Sequence, residues 1–347
     1  MVGTTGKIKV GIVGYGTIGK RVADAVDMQP DMELIGITAR SYNFRIEVAN
    51  KKGWPIYATE DADLEHLQKN GIRVKGDIHT LIRNADIIVD GTPGNVGVEM
   101  KKKYYEPAKI KAIFQGGEAA KMAQCSFNAD ANFEDACGKD YVRVVSCNTT
   151  GMGRLLKAVA DKWKIKKVHA TLVRRAVDPV DVKKGPVNAI VPSLKVPSHH
   201  GPDVNTIIPD IEVITLAVIV PTTLMHVHCL EIELDGKPPT TEEVVQQLDR
   251  THRIFMLRGE TGVTSTAEIM ELVKDLHHQR GDVVDNCIWQ KGLSVKGQNL
   301  FLFQAIHQES IVVPENIDCI RAMCTDMSKE ESMKLTDRIL GIKIKER

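Results

Sequence analysis

A chain of 347 residues suits two domains with ample core, and its 43% hydrophobic and 26% charged content is that of an ordinary globular protein. A formal net charge of +1 gives no electrostatic footprint for nucleic acid or anionic lipid, and the longest apolar run, Val213 to Val220, stops at Pro221, too short to span a bilayer. The seven cysteines (125, 137, 147, 229, 287, 319 and 324) are odd in number, scattered and without a C-x-x-C pair, which points to reduced thiols in the cytoplasm, with no signal peptide expected.

Lys7 to Val13 alternates and then runs continuously apolar, the pattern of a strand buried on both faces of a parallel sheet. Gly14-Tyr15-Gly16-Thr17-Ile18-Gly19 follows, and a helical period then appears in Val22, Ala23 and Val26. A G-x-G-x-x-G between strand and helix is a dinucleotide fingerprint, its glycines permitting the tight turn, the approach of a pyrophosphate and close helix–strand packing. Gly14, Gly16 and Gly19 are therefore expected at a cofactor whose phosphates face the helix N-terminus. Leu34 to Thr38 reads as the next strand. An NAD-specific protein usually ends it in Asp or Glu for the ribose hydroxyls; here Ala39-Arg40-Ser41 stands. A cation suits a 2′-phosphate, so Arg40 predicts NADP as the preferred cofactor, with NAD still usable and Thr38 or Ser41 as added hydroxyl donors.

Strands are expected again at Ile87 to Val89 and Ala112 to Phe114, each ending in a turn-rich segment, with a helix from Glu99 to Tyr105 between them. This alternation predicts a Rossmann-type, doubly wound sheet. Its last strand, Tyr141 to Val145, leads through Ser146 to Cys147, and a helical period follows in Leu155, Leu156, Val159 and Trp163. Cys147 thus falls at a strand-to-helix switch on the carboxyl edge of the sheet. Asn148, Thr149 and Thr150 are N-cap residue types, so the helix is expected to begin just past the thiol. The helix dipole and free N–H groups would then favour thiolate, making Cys147 a nucleophile candidate; a buried structural cysteine is the alternative.

After Ile165 the character changes. Lys167 to Val173 and Ile211 to Val220 are apolar and β-branched, and Leu224 to Leu234 alternates. A Gly/Pro/polar connection from Asp178 to Asn205 separates the first two, too long for an idle loop. Thr240 to Leu248 and Ser265 to Leu276 read as helices, and strands resume around Ile288 and at Leu300 to Ile306. The pattern predicts an antiparallel sheet with helices on one face. Val313 to Met323 and a final segment from the capping box Ser328-Lys329-Glu330-Glu331 to Gly341 are helical. His226 and His228 share one face of their strand. No metal site is expected, because no H-E-x-x-H or carboxylate spacing accompanies them. One of the pair suits a general base for Cys147 and the other a core histidine.

These segments together resemble one family. Ser146-Cys147-Asn148-Thr149-Thr150, Phe114-Gln115-Gly116-Gly117-Glu118, Lys184-Gly185-Pro186, Pro197-Ser198-His199-His200, Pro221-Thr222-Thr223-Leu224-Met225-His226 and His307-Gln308-Glu309-Ser310 look like the archaeal-type (class II) phosphorylating, NAD(P)-dependent glyceraldehyde-3-phosphate dehydrogenase. The likeness runs over essentially the whole chain. Bacterial and eukaryotic relatives carry a differently ordered Ser-Cys-Thr-Thr-Asn motif.

The resemblance implies oxidation of D-glyceraldehyde 3-phosphate, with inorganic phosphate, to 1,3-bisphosphoglycerate through a Cys147 hemithioacetal and thioester, in glycolysis or gluconeogenesis. It implies Cys147 as nucleophile and His226 as base. Thr17 and Ile18 would lie at the cofactor pyrophosphate, and Gly117, Arg175 and Gln308 at other dinucleotide contacts. Ser146, Asn148, His199 and His200 would contact substrate, while Arg174, Arg175, Lys183 and Lys184 are the candidates for its two phosphates. A homotetramer is implied, with the 178–205 connection near subunit contacts. The expected organisation is a dinucleotide-binding domain of residues 1–146 and 309–347, to which the C-terminal helix returns, and an α+β catalytic domain of residues 147–308 with a mostly antiparallel sheet. The rival readings are a phosphorylating semialdehyde dehydrogenase of the aspartate-semialdehyde type and a non-catalytic dinucleotide-binding sensor.

Overall fold

Val10, Ile12 and Val13 lose essentially all their surface to neighbours on both sides, as a strand in the middle of a parallel sheet must. They belong to β1 (Ile8–Val13) in a computed structural model that describes residues 6–115, 117–181 and 185–342. Gly116, Lys183 and Lys184 lie outside the described residues. The chain divides into two compact units, one of Met1–Ser146 with Val313–Leu340, the other built on Cys147–Val312.

In the first unit β1 is followed by β2 (Met32–Ala39), β3 (Ile56–Ala58), β4 (Val74–Asp77), β5 (Ile87–Asp90), β6 (Lys111–Phe114), β7 (Cys125–Phe127) and β8 (Tyr141–Val144). They form an eight-stranded sheet in the order β4-β3-β2-β1-β5-β6-β8-β7, parallel at every pairing. The expected α/β, doubly wound class is borne out. The strand order reverses beside β1, which has β2 on one side and β5 on the other. That reversal is where such sheets open a crevice at their carboxyl ends. Short β3, β4 and β7 escaped the sequence reading, because three or four residues cannot establish a period.

Helix Val313–Cys324 is buried almost throughout, polar residues included. Arg321 reaches both carboxylate oxygens of Asp31 at 2.8 Å, Gln29 Oε1 at 2.7 Å and Thr336 Oγ1 of the last helix, Lys329–Leu340, at 2.6 Å. Glu315 accepts the backbone N–H of Ala129 at 2.6 Å. A buried charge is stable only when so paired and hydrogen-bonded, and these partners come from opposite ends of the chain.

The second unit holds β9 (Ile165–Arg175), β10 (Val191–Pro192), β11 (Glu212–Val220), β12 (His226–Leu234), β13 (Ile254–Leu257), β14 (Asn286–Trp289), β15 (Ser294–Lys296) and β16 (Asn299–Ile306). Their order is β10-β11-β9-β12-β16-β14-β13, with β15 on β16. Most pairings are antiparallel, but β9 with β11 and β13 with β14 are parallel, so the sheet is mixed. The parallel β9–β11 pair gives the long 178–205 connection its purpose, since parallel neighbours cannot be joined by a hairpin. One face of this sheet packs Val168, Leu172 and Ile232 against Met152, Leu155 and Leu156 of helix Cys147–Ala160 and Val244 and Leu248 of helix Thr241–Arg250. Gly151 lets the first helix lie close: a Cβ there would stand 2.8 Å from Ile306 Cγ2.

Candidate active site

In the first unit the glycine loop joins β1 to helix Gly19–Met28. Gly14 has φ +84°, and a Cβ on Gly19 would lie 2.1 Å from the Gly14 carbonyl oxygen, so neither position admits a side chain. A Cβ on Gly16 would meet nothing within 4 Å, leaving open space where a ligand backbone can approach. Thr17 and Ile18 precede the helix, and Ile18 supplies no side-chain cap to its N–H groups. These features fit a pyrophosphate, whose negative charge is favoured at the N-terminal end of a helix. Arg40 follows β2 and is exposed, as is Ser41. Thr38 instead is buried, and its hydroxyl oxygen accepts the Gly14 N–H at 3.3 Å, bracing the glycine turn. Gly117 is exposed after β6, against Gly94 of the turn after β5.

The second unit begins at the thiol. Cys147 is itself the first residue of its helix, so Asn148, Thr149 and Thr150 lie buried within the first turn and do not cap it. Cys147 is partly exposed as a residue, while its thiol lies buried. Its pKa is raised, burial outweighing the Arg175 and Arg174 cations and the backbone N–H groups of Asn148 and Cys147, which all favour thiolate. The thiolate expected from the helix dipole alone is therefore not the resting state.

Arg174 and Arg175 end β9. Arg175 is ion-paired with Asp178, yet among the described residues its Nε and Nη1, which are buried, find no hydrogen-bond partner, nor does Arg174 Nε. Two guanidinium groups with unmet donors are suited to an anion. Just beyond the β9–β12 ladder, the Arg175 backbone N–H donates to His226 Nδ1 at 3.0 Å. Met225 turns the chain into this position with φ +62°. Burial, then the neighbouring His228, Arg175 and Arg174, push the His226 pKa well below 6.5, so the ring is neutral. With Nδ1 accepting, its proton sits on Nε2. In this arrangement His226 offers a donor on its far side. A base acting at Nε2 needs the other tautomer.

The adjacent histidines differ sharply. His199 is exposed, with burial of part of its ring, Arg174 and Lys195 lowering its pKa against the pull of Asp203. His200 is buried, and its ring lies 3.9 Å from that of His199 between centroids. Asn148, also buried, bridges two rings: its Nδ2 donates to His200 Nε2 at 3.1 Å and its Oδ1 accepts from His228 Nε2 at 2.9 Å. Both nitrogens of His200 are engaged inside the protein, the other with Ser198 Oγ at 3.2 Å. Ser146 precedes the thiol and is partly exposed. Gln308 is buried, and neither of its amide atoms has a hydrogen-bond partner among the described residues, as a side chain reserved for a ligand would be. Among the described residues no group of three or more His, Cys, Asp or Glu side chains is arranged to hold a metal ion, and no helix is long and apolar enough to cross a membrane.

Gln304 was missed by the sequence reading. Leu300, Leu302 and Ile306 alternate onto the buried face of β16, and Gln304 is the polar exception among them. That exception was the available signal.

Comparison with known proteins bears on what these groups do. Residues 146–287 match the family model for the glyceraldehyde 3-phosphate dehydrogenase C-terminal domain, and residues 8–114 that for the dihydrodipicolinate reductase N-terminus. The chain is 52% identical to the glyceraldehyde-3-phosphate dehydrogenases of Thermococcus kodakarensis and Pyrococcus furiosus, covering 97% of this chain and 99% of each relative. It is 49% identical to that of Archaeoglobus fulgidus, over 97% of this chain and 98% of the relative. Among solved structures it resembles aspartate semialdehyde dehydrogenase II from Vibrio cholerae, with a TM-score of 0.64 at 13% identity over 91% of this chain and 97% of that one, a likeness of fold alone.

Proposed function

The chain belongs to the glyceraldehyde-3-phosphate dehydrogenase family, and we propose that it oxidises D-glyceraldehyde 3-phosphate to 1,3-bisphosphoglycerate with NAD(P) and inorganic phosphate, in glycolysis or gluconeogenesis. The observation that carries the reading is a cysteine at a helix start, acted on by two arginines that keep buried donors without a partner among the described residues.

Cys147 first gives its thiol proton to water, the Arg175 and Arg174 cations favouring the thiolate, and then attacks, forming a C–S bond to the aldehyde carbon while the carbonyl electron pair moves to oxygen. His226, with its proton on Nε2, hydrogen-bonds that oxyanion without transferring the proton, so that hydride leaves from the oxyanion, and the N–H groups at the start of helix Cys147–Ala160 add to its stabilisation. When bound, the nicotinamide cofactor supplies the hydride acceptor. The N–H groups of Thr17 and Ile18 would hold its pyrophosphate, with Gly14, Gly16 and Gly19 giving the loop its shape and Gly117 and Gln308 as further contacts. Loss of hydride from the former aldehyde carbon leaves the Cys147 thioester. Inorganic phosphate attacks the thioester carbonyl, the C–S bond breaks, and thiolate is restored. Arg174, Arg175 and exposed His199 are the groups suited to the phosphates of substrate and nucleophile. Lys183 and Lys184 remain candidates outside the described residues. Ser146 flanks the thiol as a further substrate contact.

NADP is the preferred cofactor in this reading, on the strength of exposed Arg40 and the lack of an acid after β2. The protein acts as a cytoplasmic homotetramer. Val187 and Leu194, each 91% exposed in the 178–205 connection, support burial against other subunits, and seven free cysteines suit a reducing compartment.

The test is NADPH formation dependent on both glyceraldehyde 3-phosphate and inorganic phosphate, with aspartate semialdehyde run in parallel. Turnover of the semialdehyde alone would move the protein to that substrate, and none with either would leave a dinucleotide-binding sensor. Stoichiometric alkylation should modify Cys147 first and abolish turnover. Exposed Cys137 is the main competitor, but partial burial together with Glu134 and Asp326 raises its pKa without help from a cation. Labelling of Cys229 or Cys287 with activity intact would remove Cys147 from its role.

A further inference from the structure

We propose that His228 is a positioning residue: a one-way chain of hydrogen bonds through it locks Asn148, which follows the nucleophile, and His200, on which His199 is stacked. This rests on the dehydrogenase reading for its effect on turnover, but not for its geometry.

The direction of the chain follows from what each atom can do. Gln304 Nε2 donates to the Gly151 carbonyl at 3.2 Å, and its Oε1 accepts from Asn286 Nδ2 at 2.9 Å, which also donates to Gly151 O at 2.7 Å. Turning the Gln304 amide over would set oxygen against oxygen, so its orientation is decided by the helix that carries Cys147. The same Nε2 lies 3.0 Å from His228 Nδ1, which must therefore be bare. The His228 proton is on Nε2, where Asn148 Oδ1, an acceptor only, receives it. Asn148 Nδ2 then donates to His200 Nε2, which leaves the His200 proton on Nδ1, facing Ser198 Oγ. Thr215 Oγ1 donates to the Ser198 carbonyl at 3.1 Å and accepts the Gly201 N–H at 3.0 Å and the Ser198 hydroxyl at 2.7 Å. No link can be reversed without leaving two donors or two acceptors face to face.

Gln304, His228, Asn148, His200, Ser198 and Thr215 are all buried. Such a buried network is rigid, because every broken link leaves a desolvated polar atom; Asn286 Oδ1, at its edge, is the one atom of these side chains without a partner among the described residues. Burial also holds both rings neutral, each lowered to about 3, which the one-way pattern requires because an imidazolium has no acceptor. The chain starts on β16, crosses the first turn of the nucleophile's helix, and ends under exposed His199, whose pKa registers Arg174 and Lys195. It thereby ties the thiol and the imidazole nearest those cations to one rigid frame.

Two substitutions test this. His228→Leu removes both bonds, whereas His228→Gln keeps an N–H at the reach of Nε2 and so can still donate to Asn148. His228→Leu should slow Cys147 alkylation and raise the KM for the aldehyde phosphate, each about tenfold, and His228→Gln should recover most of both. If His228→Leu does not fold, His228→Asn replaces it, keeping an acceptor for Gln304 but not the reach to Asn148. Nitrogen-15 NMR of the full-length protein should show His228 protonated on Nε2 and His200 on Nδ1. Alkylation and the tautomers are read without substrate, so they can fail while aldehyde oxidation stands, or hold while it falls. A His200 proton on Nε2, or a glutamine variant no better than its partner, would overturn the proposal.

Discussion

His226 shows how one backbone contact narrows a side chain's chemistry. The Arg175 N–H occupies Nδ1 beyond the end of the ladder, so the neutral ring faces outward with a donor. His226→Asn keeps an acceptor for that N–H and loses the outward group; aldehyde oxidation should fall roughly a hundredfold or more, as for loss of a proton-handling residue. His226→Gln restores an outward N–H without a basic nitrogen, and should recover about tenfold of that loss if donation is the need. Equal damage from both substitutions, measured as single-turnover rates, would return the residue to the role of base expected from the sequence. The smaller effect expected at His228 separates the pair by function: in the proposed reading one ring meets substrate, while the other holds Asn148.

At the scale of elements, the ends of strands carry the chemistry. β2 delivers Arg40 past its last residue, where an adenosine ribose lies in sheets of this kind. In the proposed reading the exposed Arg40 guanidinium would hydrogen-bond a 2′-phosphate while remaining solvated, giving preference and not exclusion. Arg40→Ala should raise the KM for NADP roughly tenfold more than that for NAD, and the difference should shrink as salt increases. An unchanged NADP/NAD ratio in steady-state assays would assign selectivity to other residues. β9 ends likewise in Arg174 and Arg175. Those side chains were legible as cations from the sequence, but their unpartnered nitrogens were not, because pairing depends on what the 178–205 connection brings near.

The whole molecule pays for its polar interior with sensitivity to acid. His200 and His228 are lowered to about 3 and His226 well below 6.5, each by burial first. Below about pH 6.5 the unfolded chain binds protons at these positions and the native protein does not. Stability must therefore rise with pH in that range and fall as pH drops from about 6.5 towards 4. Unfolding should take up about three protons more there than at pH 8, read from the slope of unfolding free energy against pH. A flat profile between pH 6.5 and 4 would mean that these rings already carry charge in the native state. Asp31 adds to the same trend at lower pH: despite burial, its bonds and charge contact with Arg321 hold its pKa down, so its stabilisation is present above about pH 4 and lost as pH falls through its folded value.

By itself the sequence determined the elements long enough to show a period and the residues whose chemistry depends on near neighbours. β1 with its glycine loop, the switch at Cys147 and the alternation that puts His226 and His228 on one face are all local patterns of apolar spacing and backbone permission. The tertiary structure decided what depends on groups far apart in the chain. Burial around Cys147 outweighs the helix start that the sequence displays, so the resting thiol is held up and not down. Asn148 meets His228 and His200 across eighty and fifty-two positions, and only that meeting turns a residue type suited to capping into a bridge between two rings. Direction along a hydrogen-bond chain exists only once every donor has found its acceptor, and no one-dimensional pattern contains that closure.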